Sequence, residues 1–403
     1  MKTARAIISL LLASLAALHA AASQFIILNT GGLNPEEDFA RISREFKPSP
    51  TNHVRVGISA IFSYLQQPRA NTEESLRRFL RLAQEHDMPV VVQLDGENWW
   101  SARPDLWNWW DPGQPGFNPA NRDNVEWTGW TPDHAIKIAW RNWGRQLRVL
   151  PPPNLASPRY HEACRQEMAA LVPIILAWWR ALPQSKRDLL VGIKVGHESS
   201  IGVNAWYYPN GNNLLDKPEK DDPAYGLNHS HLPDRGVTAI GYAAVKTAGL
   251  RNSGDLTEDD VAEVTRQHLA RLCRQMARLG VPRDKLFTHG AGWQNGERLY
   301  QAAVNANSCP GWSFYQHADD PAKDAGVQAA LKNSDAPSWA AVEWLFTGSR
   351  ETAPWRRALE TTLAQPRCRF LCVFNWNGIC DSPEILKAVK QVTENAKGRP
   401  GGA

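Results

Sequence analysis

Leu190-Val-Gly-Ile-Lys-Val-Gly-His-Glu198 and Trp339-Ala-Ala-Val-Glu343 are short apolar runs that each end in a glutamate. Such runs, bounded by polar, turn-forming segments, read as buried strands. Working outward from them, six further runs share the form: Phe25–Asn29, His53–Ile58, Pro89–Leu94, Lys285–His289, Gly311–Tyr315 and Arg369–Phe374. Helical patterns fill the intervals. Asn34-Pro-Glu-Glu-Asp38 supplies a cap, a proline and early acids, and Thr72 precedes Leu76, Phe79, Leu80 and Leu82. Thr257-Glu-Asp-Asp260 is a capping box that opens a run closed by Gly280 and Pro282, and Ser382-Pro383 opens the last helix. Strand and helix therefore alternate, the pattern of a parallel sheet with crossover helices. Eight units predict an α/β fold, a (β/α)8 TIM barrel in one domain over residues 24–396, with its site at the C-terminal strand ends.

Two connections are too long for a plain barrel. Residues 95 to about 132, after the third strand, hold Trp99, Trp100, Trp107, Trp109, Trp110, Trp127 and Trp130 among turn-forming residues. Residues 199 to about 236, after the fourth, hold Asn204, Trp206, Tyr207 and Tyr208. Long ordered loops in compact domains are usually functional, and both leave from the catalytic face. The first set of tryptophans either stacks on flat apolar ligands or packs on itself. Trp140, Trp143, Trp178 and Trp179 stand at helical spacing and read as core.

Lys2 and Arg5 followed by the apolar Ala6–Leu18 and the small residues up to Ser23 read as an export signal over residues 1–23. The expected location is secreted or periplasmic, and no other segment has transmembrane length. Residues 397–403, Gly- and Pro-rich, read as a frayed tail. A net charge of +4 over 403 residues, with both signs interleaved, excludes an electrostatic nucleic-acid binder. The six cysteines permit disulfides in an exported chain, but Cys368 and Cys372 lie on or beside an apolar strand and read as buried structural thiols. His229 and His231, with Asp221, Asp222 and Asp234, are irregularly spaced, and no metal site or cofactor is expected. Oligomeric state is not written in the sequence.

A carboxylate at the mouth of a buried strand is costly to desolvate, so Glu198 and Glu343 point to chemistry. Two carboxyls facing one pocket are what glycosidic hydrolysis needs, one as proton donor and one as nucleophile or base. Eighteen tryptophans add flat faces suited to sugar rings. Glu198 on strand four and Glu343 on strand seven resemble the clan of retaining glycoside hydrolases built on (β/α)8 barrels. Arg55 resembles that clan's strand-two arginine, Tyr315 the strand-six tyrosine that bonds the nucleophile, and Trp376 the strand-eight tryptophan beneath the sugar.

The resemblance implies Glu198 as acid/base and Glu343 as nucleophile, ionised and held by Tyr315 and Arg55, on an oligo- or polysaccharide substrate. One position departs: the clan has asparagine before the acid/base, where this chain has His197. Histidine can also donate to a sugar hydroxyl. The same departure leaves open an inverting enzyme such as a β-amylase, and a non-catalytic glycan-binding barrel stays open too. Asp95 either contacts sugar hydroxyls or closes its own Asp-Gly turn; His289 is either a ligand contact or a structural residue. Trp99, Asn204 and Trp206 are substrate-loop candidates by position.

Overall fold

The computed structural model describes residues 23–32, 34–47, 53–142, 146–202, 205–207, 238–291 and 296–395. The segments expected to be export signal and tail therefore lie outside the described residues, apart from Ser23. Eight parallel strands close into a barrel: β1 Gln24–Asn29, β2 Val54–Ser63, β3 Val90–Asp95, β4 Leu190–Ser199, β5 Leu286–Gly290, β6 Gly311–Phe314, β7 Trp339–Trp344 and β8 Cys368–Val373. Each strand pairs with its sequence neighbours, and β8 returns to β1 through Phe25↔Phe370 to Leu28↔Val373. Helices follow the strands, the principal ones being α1 Pro35–Glu45, α2 Arg69–Glu85, α3 Pro158–Ala181, α4 Glu258–Arg278, α5 Gly296–Ala302, α6 Ala325–Lys332, α7 Thr352–Leu363 and α8 Pro383–Asn395. The fold is a (β/α)8 barrel. Among the described helices none is long and apolar enough to cross a membrane.

Alternation along the strands builds two cores. Inward side chains such as Phe25, Ile27, Val91, Phe287, Val342 and Phe370 fill the barrel, while Ile26, Leu28, Val90, Val92 and Leu371 face the helices. A polar layer sits above the apolar plug: Gln93 Nε2 donates to Asn29 Oδ1 at 2.7 Å and to Ser59 Oγ at 2.8 Å. That layer forms the floor from which the site rises. The six cysteines are buried and unpaired, two of them on β8.

Local rules explain some helix ends: Ser157, Thr257 and Asp324 cap their helices through the side chain, whereas the expected cap Asn34 makes no such bond. Thr257 accepts from the Asp260 amide, and Asp260 returns the bond to the Thr257 amide, so the capping box is complete. Helix α2 begins three residues before Thr72, whose side chain is buried inside the helix and does not cap it. Of the four tryptophans at helical spacing, Trp178 and Trp179 lie on α3, half-buried. Trp140 lies on the short strand Ala139–Asn142, paired antiparallel with Gln146–Val149 and with Ala205–Trp206, and Trp143 falls outside the described residues. Tertiary pairing with the loop after β4 overrides the helical period there.

Candidate active site

Irregular pairing aims both glutamates. The β4–β5 register shifts between Val195 and Ser199, and the β6–β7 register between Ala340 and Glu343. A shift of this kind turns a side chain that regular pleating would bury elsewhere. Glu198 takes φ +51°, in the left-handed region that non-glycine residues avoid at a cost of about 1–3 kcal/mol. Gly196, at φ +79°, lies against Ser199 Oγ so closely that a Cβ would stand 2.4 Å from it. Both carboxyls end nearly sealed from solvent, Glu198 at 6% and Glu343 at 3% exposure.

A chain of polar contacts joins them. Ser313 Oγ donates to Glu198 Oε1 at 3.2 Å, and His289 Nε2 lies 2.8 Å from Ser313 Oγ and 3.8 Å from Glu343 Oε2. Those three links bound the separation of the carboxyl oxygens at about 10 Å, and glycosidic pairs span roughly 5–9.5 Å. Tyr315 donates its hydroxyl to Glu343 Oε1. Glu343 Oε2, though buried, has no hydrogen-bond partner and faces His197 Nε2 at 4.0 Å.

Lys194, fully buried on β4, lies beneath this pair, with Nζ 3.1 Å from His197 Nδ1 and 2.7 Å from His289 Nδ1. Burial pushes its ammonium down, while the carboxylates of Glu343, Asp95 and Glu198 oppose that shift. Burial, and next the charge of Glu198, push the Glu343 carboxyl up to about 8 against the pull of Lys194 and Tyr315. Burial and then the Lys194 charge hold both His197 and His289 well below the ordinary histidine value, so they are neutral near pH 7. Ligating atoms of His197, His289 and Glu343 lie within 4.8 Å of one another, close enough to meet a divalent ion. The ammonium behind both rings opposes a second cation at that point.

Loops supply a second polar wall. Arg141, from the excursion after β3, lines a small cavity with Glu97, Glu126, His197 and Glu198. Burial pushes the Arg141 guanidinium down, opposed by Asp95, Glu97 and Glu198. Burial also lifts Glu126 to about 8, against the amides of Ala244, Trp127, Gly241 and Ala243. Glu97 is held from behind, accepting from Ser199 Oγ at 2.7 Å and contacting His268 Nε2 at 3.0 Å.

Several candidates read from the sequence stand elsewhere. Arg55 pairs with Asp188 at the N-terminal mouth of the barrel and does not hold Glu343. The reason is strand length: β2 runs from Val54 to Ser63, so Arg55 lies near its start, at the end away from the site. Trp376 cannot underlie a sugar. It is 1% exposed, its ring 6.5 Å from Phe46 and covered by the Arg41 guanidinium, between barrel and helix. The aromatic that does reach the site is half-buried Phe374, with its ring 6.4 Å from that of His197.

Asp95 closes its own turn and does not reach the pocket, accepting from the amides of Glu97 at 2.8 Å and Asn98 at 3.2 Å. The loop tryptophans pack largely on one another: Trp107 Nε1 donates to Trp100 O, Trp109 Nε1 to Ile136 O, and the Trp107–Trp110 and Trp109–Trp110 centroids lie 5.8 and 6.0 Å apart. Trp99 is half-buried against the same core. Trp206 sits on the short strand paired with Trp140, and Asn204 lies outside the described residues. His289 is wholly buried behind the carboxyls, where it bridges Lys194 and Ser313.

Sequence reasoning passed over Lys194, Ser313, Arg141 and Glu97. Lys194 carried a signal: a lone lysine inside an apolar strand must find buried partners. Ser313, between Trp312 and Phe314, alternates inward but looks like any small barrel residue. Arg141 had no signal at all, because only the folded loop brings it back over β4.

No protein-family model matches the chain, and no curated protein matches it. Solved structures similar to it include GH26A from a Muricauda species, with 12% identity, 93% of this chain and 91% of that one covered, and a TM-score of 0.43. Another is PbGH5A, a glycoside hydrolase family 5 enzyme from Prevotella bryantii, with 9% identity, 94% and 97% covered, and a TM-score of 0.42. A Thermomonospora fusca β-mannanase in complex with mannohexaose aligns at 9% identity over 90% and 82%, with a TM-score of 0.38. Likeness this distant carries no argument beyond the barrel already described.

Proposed function

We propose that this chain is an exported glycoside hydrolase that cleaves O-glycosidic bonds of an oligo- or polysaccharide with retention. One observation carries the proposal: two buried carboxyls, Glu198 and Glu343, are linked through Ser313 and His289 at one end of the barrel, no more than about 10 Å apart. Glu343 has the features of a nucleophile. Its Oε1 is fixed by Tyr315, while Oε2 is left without a partner and free to attack an anomeric carbon. Glu198, with Oε1 bonded to Ser313, donates a proton to the departing oxygen and then takes one from water.

The reaction needs the charge on Glu343 while a proton stands on Glu198. Tyr315 and Lys194 favour that charge; burial and Glu198 oppose it. Oligosaccharide binding, by displacing water, strengthens every contact in the site. Export is supported by the basic and apolar opening of the chain, Lys2 to Leu18.

Proton NMR of the first-formed sugar anomer on a panel of chromogenic glycosides and polysaccharides tests the reading. Retention is expected. Prompt release of the opposite anomer would convert the proposal to the inverting mechanism, with a carboxyl separation in the upper part of the range. Binding without turnover across the panel would leave a glycan-binding barrel.

A further inference from the structure

Beneath the two carboxyls lies a buried lysine whose contacts with two histidines the mechanism above does not use. Lys194 Nζ reaches Nδ1 of His289 at 2.7 Å and Nδ1 of His197 at 3.1 Å, and an ammonium can only donate. A ring nitrogen that accepts carries no proton. In a neutral imidazole the proton is then on Nε2.

We propose that Lys194 is a positioning residue that locks both His197 and His289 as Nε2–H tautomers, so that each ring presents a donor toward the carboxyl pair. This deepens the reading of Glu198 and Glu343 as the catalytic pair and rests on it. From His289 the direction of donation continues outward: Nε2–H to Ser313 Oγ at 2.8 Å, then Ser313 O–H to Glu198 Oε1 at 3.2 Å. Glu198 Oε1 is thus committed as an acceptor, which leaves its other oxygen to hold the transferable proton. On the other side both Nε2 atoms lie about 4 Å from the unpartnered Glu343 Oε2, at 4.0 and 3.8 Å. The His289 N–H is spent on Ser313, yet both Nε2 protons stand close enough to that oxygen for their partial positive charge to favour the charge it must carry. The opposite tautomers would turn lone pairs on that oxygen and reverse the Ser313 bond.

The groups facing Lys194 agree with a charged donor. Asp95 on β3, Glu198 on its own strand, Glu343 on β7 and Cys372 on β8 all favour the ammonium. Arg141 and Lys194 both disfavour a proton being added to His197, and Lys194 and His197 do the same for His289. Both rings therefore stay neutral, and the Lys194 ammonium stands within hydrogen-bond distance of each.

Long-range 15N–1H NMR on histidine-labelled protein, with His197→Asn and His289→Asn used for assignment, tests this without any sugar. The expected spectrum has two histidines that keep the Nε2–H pattern from pH 5 to 8. In Lys194→Met, one or both should mix tautomers or begin to titrate, and the acidic limb of kcat/KM should move up by about one pH unit or more. Lys194→Arg should restore part of both effects. Nδ1–H tautomers in the wild type, or a Lys194→Met protein with unchanged tautomers and limb, would overturn the proposal. If Lys194→Met does not fold, the wild-type spectrum still decides. Correct tautomers in a protein that cleaves no glycoside would sink the hydrolase reading and leave the lock standing.

Discussion

Replacing Glu343 by glutamine separates the cost of the carboxyl from its use. Burial and the charge of Glu198 lift the Glu343 carboxyl from an ordinary 4.5 to about 8. Between those values the folded protein holds a proton that the unfolded chain has released. Wild-type stability therefore falls as pH rises through this window, fully present below the unfolded value and lost by the folded one. At about 1.4 kcal/mol per pH unit the loss reaches at most about 5 kcal/mol. Glutamine never ionises, so Glu343→Gln escapes it. The variant also strips Lys194 of the largest carboxylate influence on it, which reduces the net gain to roughly 2–4 kcal/mol. Urea denaturation at pH 5 and pH 9 reads the difference: near-equal stabilities at pH 5, and the variant more stable by that amount at pH 9. Hydrolysis should drop by several orders of magnitude while sugar binding persists. A stability gap that does not change with pH, or a variant less stable at pH 9, would refute the burial argument. Unchanged turnover would refute the role.

Tyr315→Phe removes the donor to Glu343 Oε1, so kcat should fall by about 10- to 1,000-fold and the acidic limb of the pH profile should move upward. Trp376→Ala should cost about 3–5 kcal/mol in denaturation while leaving kcat/KM of the folded fraction intact, because the ring is core. Phe374→Ala should do the reverse, raising KM about tenfold with a smaller stability loss. Arg55→Met, which leaves the half-exposed Asp188 to solvent, should change unfolding by about 1–3 kcal/mol and leave the pH profile untouched; a shifted profile would return Arg55 to the site.

Resemblance at single positions proved uneven, and the reason is depth along the strand. Tyr315 lies one residue past β6, where the strand end fixes its height, and its hydroxyl meets Glu343. Arg55 was judged by its neighbours in sequence, but β2 continues to Ser63, and each further residue adds about 3.3 Å. Trp376 lies two residues beyond Phe374, but the strand ends at Val373 and Trp376 opens the short 3-10 turn Trp376–Gly378, so strand alternation no longer decides which way it faces. The loop tryptophans carried no periodicity that could separate stacking on a ligand from stacking on each other; their indole N–H bonds to carbonyls of the same loop decide it.

Eight apolar runs separated by helical ones, with caps at Thr257 and Ser382, were enough to specify the barrel, because local periodicity and chain connectivity are written residue by residue. The same runs placed Glu198 and Glu343 at strand ends on one face. Which groups surround them was decided only by closure of the barrel and return of the long loops. Lys194, His289 and Ser313 come from three segments far apart in sequence and are joined by hydrogen bonds, with Arg141 arriving from a fourth; their meeting depends on register, bulges and burial that no single segment encodes.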